Sequence, residues 1–305
     1  MQNKYLGIDA GATKTHAVLY DDAGNVLYET TQGQGNIIVN ETEAIQNVTT
    51  AIEHCLKQVT DTDDVKVLLG MAGIDISDKS KELTAFLEST FPRFSQVEIM
   101  NDGYLGMVAA LKGRDGIFVI SGTGSVVYGK KHDYLGRVGG YGHLLGDEGS
   151  AYWIGHELFK GLTTFIDDDQ LDSPLYQALL VSEGVSEKEA YHLIKKFYTL
   201  SKEEVAQYAV WVSQHAENGD QEAIEILHNA GASLARQIKR LMRRLNFTPK
   251  PLFAFSGSVL VKNAIVLETL LQQLPDVRLL KEKIEPTKAV YYYWKKENEQ
   301  CLRLA

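Results

Sequence analysis

Cysteine is nearly absent. Only Cys55 and Cys301 occur in 305 residues, far apart and at no spacing that a disulfide framework or a zinc site uses; both are expected to be reduced thiols. Positive charge is in deficit: 31 Lys and Arg against 40 Asp and Glu leave a formal net charge of −9, which argues against nucleic acid or an anionic membrane as the main partner. No apolar run approaches the roughly 18 residues of a membrane helix, and no basic n-region with an apolar h-region opens the chain. A cytoplasmic protein is expected. There is no short-period repeat and no low-complexity segment. What remains, 44% hydrophobic and 23% charged residues, is an ordinary soluble composition, and the length suggests about two domains. An anionic ligand would be held by local backbone donors and metal, not by the global field.

The chain opens with short strands, Tyr5 to Ile8, Thr15 to Tyr20 and Val26 to Glu29, in a meander. Asn40 with Glu43 three residues on marks a helix start, and Ile45, Val48, Ile52, Leu56 and Val59 recur down one helical face. Val65 to Leu69 reads as a buried strand, Ser80 to Thr90 as a helix, and Val97 to Met100 as a strand followed by an Ala-rich helix. The polar turn cluster Lys112 to Gly116 is the best boundary, giving domains 1–113 and 114–305; a second strand pair begins at Ile117, which hints at a duplicated fold. From Ala151 to Arg244 helices dominate, with capping-box signals at Ser186 with Glu189 and at Ser201 with Glu204. Leu252 to Phe255 and Val277 to Leu280 return to strand, and Pro286 to Glu297 reads as a last helix. Strands alternating with helices after a meander imply mixed sheets with helices on their faces.

Four breaks share one form, a strand ending in Gly with Ser, Thr or Asp: Asp9 to Thr15, Asn101-Asp102, Ser121 to Ser125, and Ser256 to Val259. Strand ends are where open α/β sheets place ligands. Asp9-Ala10-Gly11-Ala12-Thr13-Lys14-Thr15 lacks the P-loop spacing, yet it offers hydroxyls and N–H groups beside a carboxylate able to hold Mg²⁺ through water. Glycines in Ser121-Gly122-Thr123-Gly124-Ser125 let N–H groups converge on an anion, and the hydroxyls add donors. Asp102, at a strand-to-helix junction, reads either as an N-cap or as a general base. His143, beside Asp147 in the Gly-rich loop Gly139 to Gly149, reads as a loop hydrogen-bonder ahead of a catalytic relay. Tyr291 to Trp294 reads as core or dimer contact, and the Arg/Lys cluster Arg236 to Arg244 as a solvated helix end.

These motifs resemble the nucleotide-binding loops of the actin/hexokinase/Hsp70 superfamily. Within it, Gly139-Gly140-Tyr141-Gly142-His143-Leu144-Leu145-Gly146-Asp147-Glu148-Gly149-Ser150 resembles the BadF/BadG/BcrA/BcrD group that contains N-acetylglucosamine kinase. The resemblance implies an α/β protein of two ribonuclease H-like, actin-like ATPase domains with a cleft between them, the last helix packing back on the first domain. It implies ATP and Mg²⁺, an amino-sugar acceptor, and a homodimer. Asp102 would then be the base for the sugar hydroxyl, and Asp9 with Asp102 the metal carboxylates. Gly11, Ala12, Thr13, Lys14 and Thr15 would form one phosphate loop and Ser121 to Ser125 the other, with Gly257 and Ser258 beside the adenosine. Asn36, Thr123, Gly140, Tyr141 and Asp147 would touch the sugar.

Two places depart from the family pattern. Ile38 stands where the kinase has an aromatic residue, and Pro286-Thr287-Lys288-Ala289-Val290-Tyr291-Tyr292-Tyr293-Trp294 stands where the family has a Gly/Ala-rich helix. Two rival readings share the fold. An activator ATPase of a radical dehydratase needs cysteines for an iron–sulfur cluster, for which Cys55 and Cys301 are not placed. A sugar sensor without turnover would predict loss of a carboxylate, whereas Asp9 and Asp102 are both present.

Overall fold

The alternating apolar residues at the start of the chain fold into a hairpin. Asn3–Ala10 (β1) and Thr15–Tyr20 (β2) pair antiparallel, with Ala10 opposite Thr15 at the turn and Tyr5 opposite Tyr20 at the far end. The structure is a computed structural model and describes residues 3–60, 63–132, 134–168, 173–247, 250–274 and 276–295. Cys301 lies outside the described residues, and no described helix is long and apolar enough to cross a membrane.

Val26–Gln32 (β3) completes the meander, and Glu41–Leu56 (α1) follows, capped as its sequence signals: Asn40 Oδ1 accepts the Glu43 N–H at 3.2 Å. Asp64–Met71 (β4), Ile74–Ser77 (α2), Ser80–Thr90 (α3), Phe94–Met100 (β5) and Asp102–Ala110 (α4) finish the first half. The strands line up as β3-β2-β1-β4-β5, with β4 parallel to both β1 and β5. Side chains alternate across the sheet. Leu6, Ile8, Val65, Val67 and Leu69 bury one face against Val48 and Ile52 of α1 and Leu83 and Leu87 of α3, each contributing roughly 1.5–3 kcal/mol. Residues of the opposite phase, Gly7 and Asp9, look to the other face.

The second half repeats the plan. Gly116–Ser121 (β6), Ser125–Lys131 (β7) and Tyr134–Gly139 (β8) form a meander. Helices Ala151–Asp167 (α5), Pro174–Ser182 (α6), Tyr191–Phe197 (α7), Lys202–Glu217 (α8) and Gln221–Arg244 (α9) intervene. Leu252–Ser256 (β9), Ser258–Lys262 (α10), Ala264–Gln273 (α11) and Arg278–Leu279 (β10) close the sheet, ordered β10-β9-β6-β7-β8. In both sheets an antiparallel meander has its first strand paired in parallel with a later one. The capping box at Ser201 forms in full. That at Ser186 does not: its hydroxyl bonds the Glu189 carboxylate at 2.6 Å, and a 3₁₀ turn, Glu187–Glu189, leads through Ala190 into α7.

The chain divides into two compact units, residues 1–115 with 279–305, and residues 116–278. The first is therefore built from two pieces of chain. Its second piece makes a 3₁₀ turn, Pro286–Lys288, and then a helix over 289–295, the remainder of the expected helix to Glu297 lying outside the described residues. A Cβ on Gly7 would sit 1.9 Å from the Thr287 carbonyl oxygen, so only glycine lets this backbone lie on β1. Tyr20 and Thr287 share a buried hydroxyl hydrogen bond of 2.8 Å.

Candidate active site

In the first unit the parallel register sets the site. Asp9 pairs with Gly70 of β4, and Gly70 pairs with Met100 of β5, so the strand ends carrying Asp9 and Asn101-Asp102 flank the end of β4. Asn101, not Asp102, is the N-cap of α4: its Oδ1 accepts the Gly103 N–H at 2.9 Å. That removes the capping reading of Asp102, which is the first helical residue and accepts the same N–H at 2.9 Å. Burial pushes the Asp102 carboxyl above its ordinary value, the Gly103 N–H opposes this, and the charge of Asp75 adds to it. Asp9 is pushed up to about 6, first by burial and then by the charge of Asp102, with His16 and Lys14 pulling down and Glu285 pushing up.

The hairpin loop beside Asp9 is tight. Gly11 N–H donates to the Lys14 carbonyl at 2.9 Å, and the Gly11 carbonyl accepts the Gly35 N–H at 2.8 Å. Ala12, Thr13 and Lys14 are exposed, whereas Thr15 is fully buried and its hydroxyl meets no partner. Asn36 is carried to the same edge, since its neighbour Ile37 donates to the Ala72 carbonyl just past β4 at 3.2 Å. The Asn36 Oδ1 accepts the Ile38 N–H at 3.0 Å, so its amide N–H₂ is the half left to meet a ligand.

In the second unit, β6 and β9 are parallel neighbours, with Ile120 opposite Ser256, so the Ser121–Ser125 turn and Gly257-Ser258 meet. Gly257 has φ +94° and a Cβ there would lie 2.2 Å from the Ser121 carbonyl oxygen, a place for glycine alone. The serines do not present their hydroxyls as donors to an anion. Both are buried; Ser121 Oγ donates to the Gly149 carbonyl and Ser125 Oγ to the Glu148 carbonyl, each at 2.9 Å. They tie down the loop that leads into α5. The first N–H groups of α5 donate back to the turn, Ala151 to Gly122 at 2.8 Å and Tyr152 to Thr123 at 3.2 Å, while Ser150 caps Trp153. Thr123 stays exposed.

Asp147, at φ +61°, is only 3% exposed; its Oδ2 takes the Lys202 ammonium at 2.8 Å and lies 2.7 Å from where a Cβ on Gly124 would sit. Gly140 adjoins Val126. Tyr141 is 64% exposed, with the Arg137 guanidinium 5.5 Å from its ring. His143 packs edge-on against Tyr152 at 4.7 Å, an aromatic contact where a loop hydrogen bond was expected.

Residues 6–287 match the BadF/BadG/BcrA/BcrD ATPase family. The chain belongs to that family. It is 27% identical over 264 residues to the N-acetylmuramic acid/N-acetylglucosamine kinase of Clostridium acetobutylicum, covering 85% of each chain. It is 26% identical over 304 residues to the N-acetyl-D-glucosamine kinase of Dictyostelium discoideum, covering 93% of this chain and 95% of that one. A Chromobacterium violaceum structure, provisionally assigned as an N-acetylglucosamine kinase, superposes with a TM-score of 0.66 at 22% identity, over 94% of this chain and 97% of that one. The fold of this BadF-family chain is accordingly the actin-like ATPase fold in two copies, each a mixed five-stranded sheet flanked by helices.

Sequence reading of the BadF-family chain missed Asp75, Glu285 and Lys202. Asp75 heads no long element, but it follows Gly73 at the end of a parallel strand, which is a usable signal. Glu285 and Lys202 are distant in sequence from the groups they face and carry no local mark. The carboxylates around Asp9 and Asp102 hold more negative charge than their cations offset. Among the described residues no three potential ligands cluster closely enough to cage a metal alone. That combination suits Mg²⁺, which is held by one or two carboxylates and otherwise by water and substrate phosphates.

Proposed function

We propose that the protein is an ATP-dependent amino-sugar kinase that transfers the γ-phosphoryl group to the C6 hydroxyl of N-acetylglucosamine or a near relative. The observation that carries this reading is Asp102, a half-buried carboxylate at the head of α4 with its pKa raised by desolvation, near enough to Asp9 to raise that group too. A base whose pKa moves towards the working pH is better matched to accept a proton in the transition state. The names of three relatives, two of them kinases of N-acetylated amino sugars and a third, from Vibrio cholerae, a glucosamine kinase, support the amino-sugar class.

In the proposed reaction Asp102 accepts the proton of the sugar hydroxyl as that oxygen bonds to the γ-phosphorus. The bond from phosphorus to the β–γ bridging oxygen breaks, leaving ADP and the sugar phosphate, with the proton on Asp102 until it passes to water. Asp9 and Asp102 would hold Mg²⁺, which when bound offsets phosphate charge. The backbone N–H groups of residues 12–14 and of 123 and 124, with the Thr123 hydroxyl, would orient the phosphates, while the Gly122 N–H closes the turn on the Gly124 carbonyl at 3.0 Å. Gly257 and Ser258 would adjoin the adenosine. Asn36 would donate to the sugar, with Tyr141 and Gly140 walling its ring. Asp147 reaches the sugar in this reading through a carboxylate that Lys202 holds in place.

The test is ADP release with ATP and Mg²⁺ over N-acetylglucosamine, glucosamine, N-acetylmannosamine, N-acetylmuramic acid and glucose. One acetylated sugar should stimulate turnover well above the rest, with ³¹P–¹H NMR of the product placing the phosphate on C6. Asp102→Asn should keep ATP and sugar binding and lower kcat by about 10³-fold or more. ADP release that no sugar stimulates would defeat the reading in favour of an activator ATPase. Against that alternative stands Cys55, which is buried, with its thiol pushed up to about 12 by burial, an inert side chain rather than a cluster ligand.

A further inference from the structure

Two isoleucines follow Asn36 in the turn that leads to α1, and they have opposite fates. Ile37 is 4% exposed and belongs to the core of the first unit, whereas Ile38 is 54% exposed. Single exposed apolar residues are common on any protein surface, so exposure alone assigns nothing to Ile38. Its surroundings do.

The turn is held by side-chain amides. Gln34 Oε1 accepts the Asn36 N–H at 2.8 Å, Asn36 Oδ1 accepts the Ile38 N–H at 3.0 Å, and Asn47 Nδ2 donates to the Gln34 carbonyl at 2.8 Å. The Val39 and Asn40 N–H groups both donate to the Asn36 carbonyl, at 3.2 and 3.3 Å. A loop tied this fully has little freedom left to lose when a ligand binds. It presents one aliphatic side chain in a fixed place, with more than half of that side chain open to solvent.

Ile38 also lies beside a donor already given to the ligand. Gly73, at φ +81°, joins β4 to α2, and a Cβ there would lie 2.7 Å from Ile38 Cγ1 and 3.0 Å from Asn36 Oδ1. The isoleucine and the asparagine amide therefore lean on one backbone point, side by side. The α2 turn that Gly73 opens carries Asp75, whose charge acts on Asp102, so this corner of the first unit adjoins the proposed base. An N–H₂ donor with an aliphatic surface next to it fits a substituent made of a carbonyl oxygen and a short carbon tail. It does not fit a free amine, which is charged at neutral pH and would face a donor and a hydrocarbon. We propose that Ile38 is the specificity residue for the N-acyl group of the sugar, packing on the acyl carbons while Asn36 donates to the acyl oxygen.

The inference rests on the amino-sugar kinase reading and deepens it. Because Ile38 is open on one side, the acyl group meets a wall and not a closed slot, so a tail longer than acetyl is accepted. Each further methylene laid on such a surface is worth up to roughly 4-fold in affinity. N-Formylglucosamine keeps the oxygen for Asn36 but lacks the carbon for Ile38, and glucosamine lacks both. The contact is remote from the transferred phosphoryl group and is made equally in ground and transition states, so it acts on KM and leaves kcat alone.

ADP release by the full chain, with ATP and Mg²⁺, over glucosamine and its N-formyl, N-acetyl and N-propionyl derivatives tests it. In the parent, KM should fall roughly 4-fold from N-formyl to N-acetyl and should not rise again at N-propionyl. Ile38→Ser should erase this trend, bringing the KM of both longer sugars up to the N-formyl value with kcat kept. Ile38→Val retains a shorter aliphatic surface and should fall between. Val39→Ser changes the neighbouring side chain, 73% exposed, and should leave the series as in the parent. Both positions are exposed, so urea midpoints should match the parent. An acyl trend that survives Ile38→Ser, an equal loss with all four sugars, or the same effect from Val39→Ser would overturn the proposal. Phosphorylation indifferent to acyl length would overturn it and leave the kinase reading standing, whereas ADP release that none of the sugars stimulates would overturn both.

Discussion

Asp9→Asn should make the metal-free protein more stable at neutral pH, although it removes a residue proposed to serve the reaction. The Asp9 carboxyl is held at about 6 against an ordinary value of 3.8, chiefly by burial and by the charge of Asp102. In the unfolded chain it ionises near its ordinary value. The folded state therefore binds the extra proton between about pH 4 and pH 6. Stability is full below the unfolded value, falls as pH rises through this window, and stays reduced above about 6. A difference of about two pH units corresponds to about 3 kcal/mol. Asp9 is only half-buried, and solvent screening trims this to roughly 1–2 kcal/mol. Asparagine is isosteric and uncharged, so it escapes the penalty. Urea denaturation in chelator at about pH 7.5 should show Asp9→Asn more stable by that amount, and the gain should vanish near pH 4. Added Mg²⁺ should stabilise the parent and leave the variant nearly unmoved, which separates charge relief from a general packing gain. A variant less stable than the parent at pH 7.5, or a gain independent of pH, would refute the electrostatic reasoning.

Two further outcomes follow from the second unit. Ser121→Ala strands the buried Gly149 carbonyl and should cost roughly 1–3 kcal/mol in urea denaturation, with the Kd for ATP read by calorimetry little changed, because the hydroxyl faces the protein interior. Lys202→Met leaves the Asp147 carboxylate buried against Gly124 without its cation; it should destabilise by roughly 1–3 kcal/mol, the cost of an unsatisfied buried group, and raise the sugar KM more than the ATP KM in the ADP-release assay.

Much of the fold was legible because the apolar pattern and the caps agreed. Ser80 to Thr90 and the capped start of α1 match the structure residue for residue, and the fully buried runs in β1 and β4 left little choice. Tyr134–Gly139 was not anticipated: it is the edge strand of its sheet, with Tyr134 76% exposed and Leu135 47%, so it carries no buried alternation to read. At the site, the strand-end carboxylates were visible because they follow apolar runs directly. The part played by Ser121 and Ser125 was not, since their partners are carbonyls 28 and 23 residues further on. A glycine-rich turn with hydroxyls announces flexibility and donors; only the folded chain tells whether those donors point out or in. The shape of the last helix was hidden for a similar reason, since nothing near Gly7 indicates that Thr287 will lie on it.

That last contact has a consequence for synthesis. The first unit needs residues from both parts of the sequence: Tyr20 and Thr287, hydrogen-bonded, stand 267 positions apart. On the ribosome, β1 to β5 emerge early, yet the face of β1 and β2 that Thr287 covers stays open while residues 116–278 are made. At about 5–20 residues per second this wait lasts roughly 10–35 s. The second unit, one unbroken stretch, can close as it appears. The half translated first is thus the half completed last, and it is the one most in need of a chaperone's shelter while the chain is still growing.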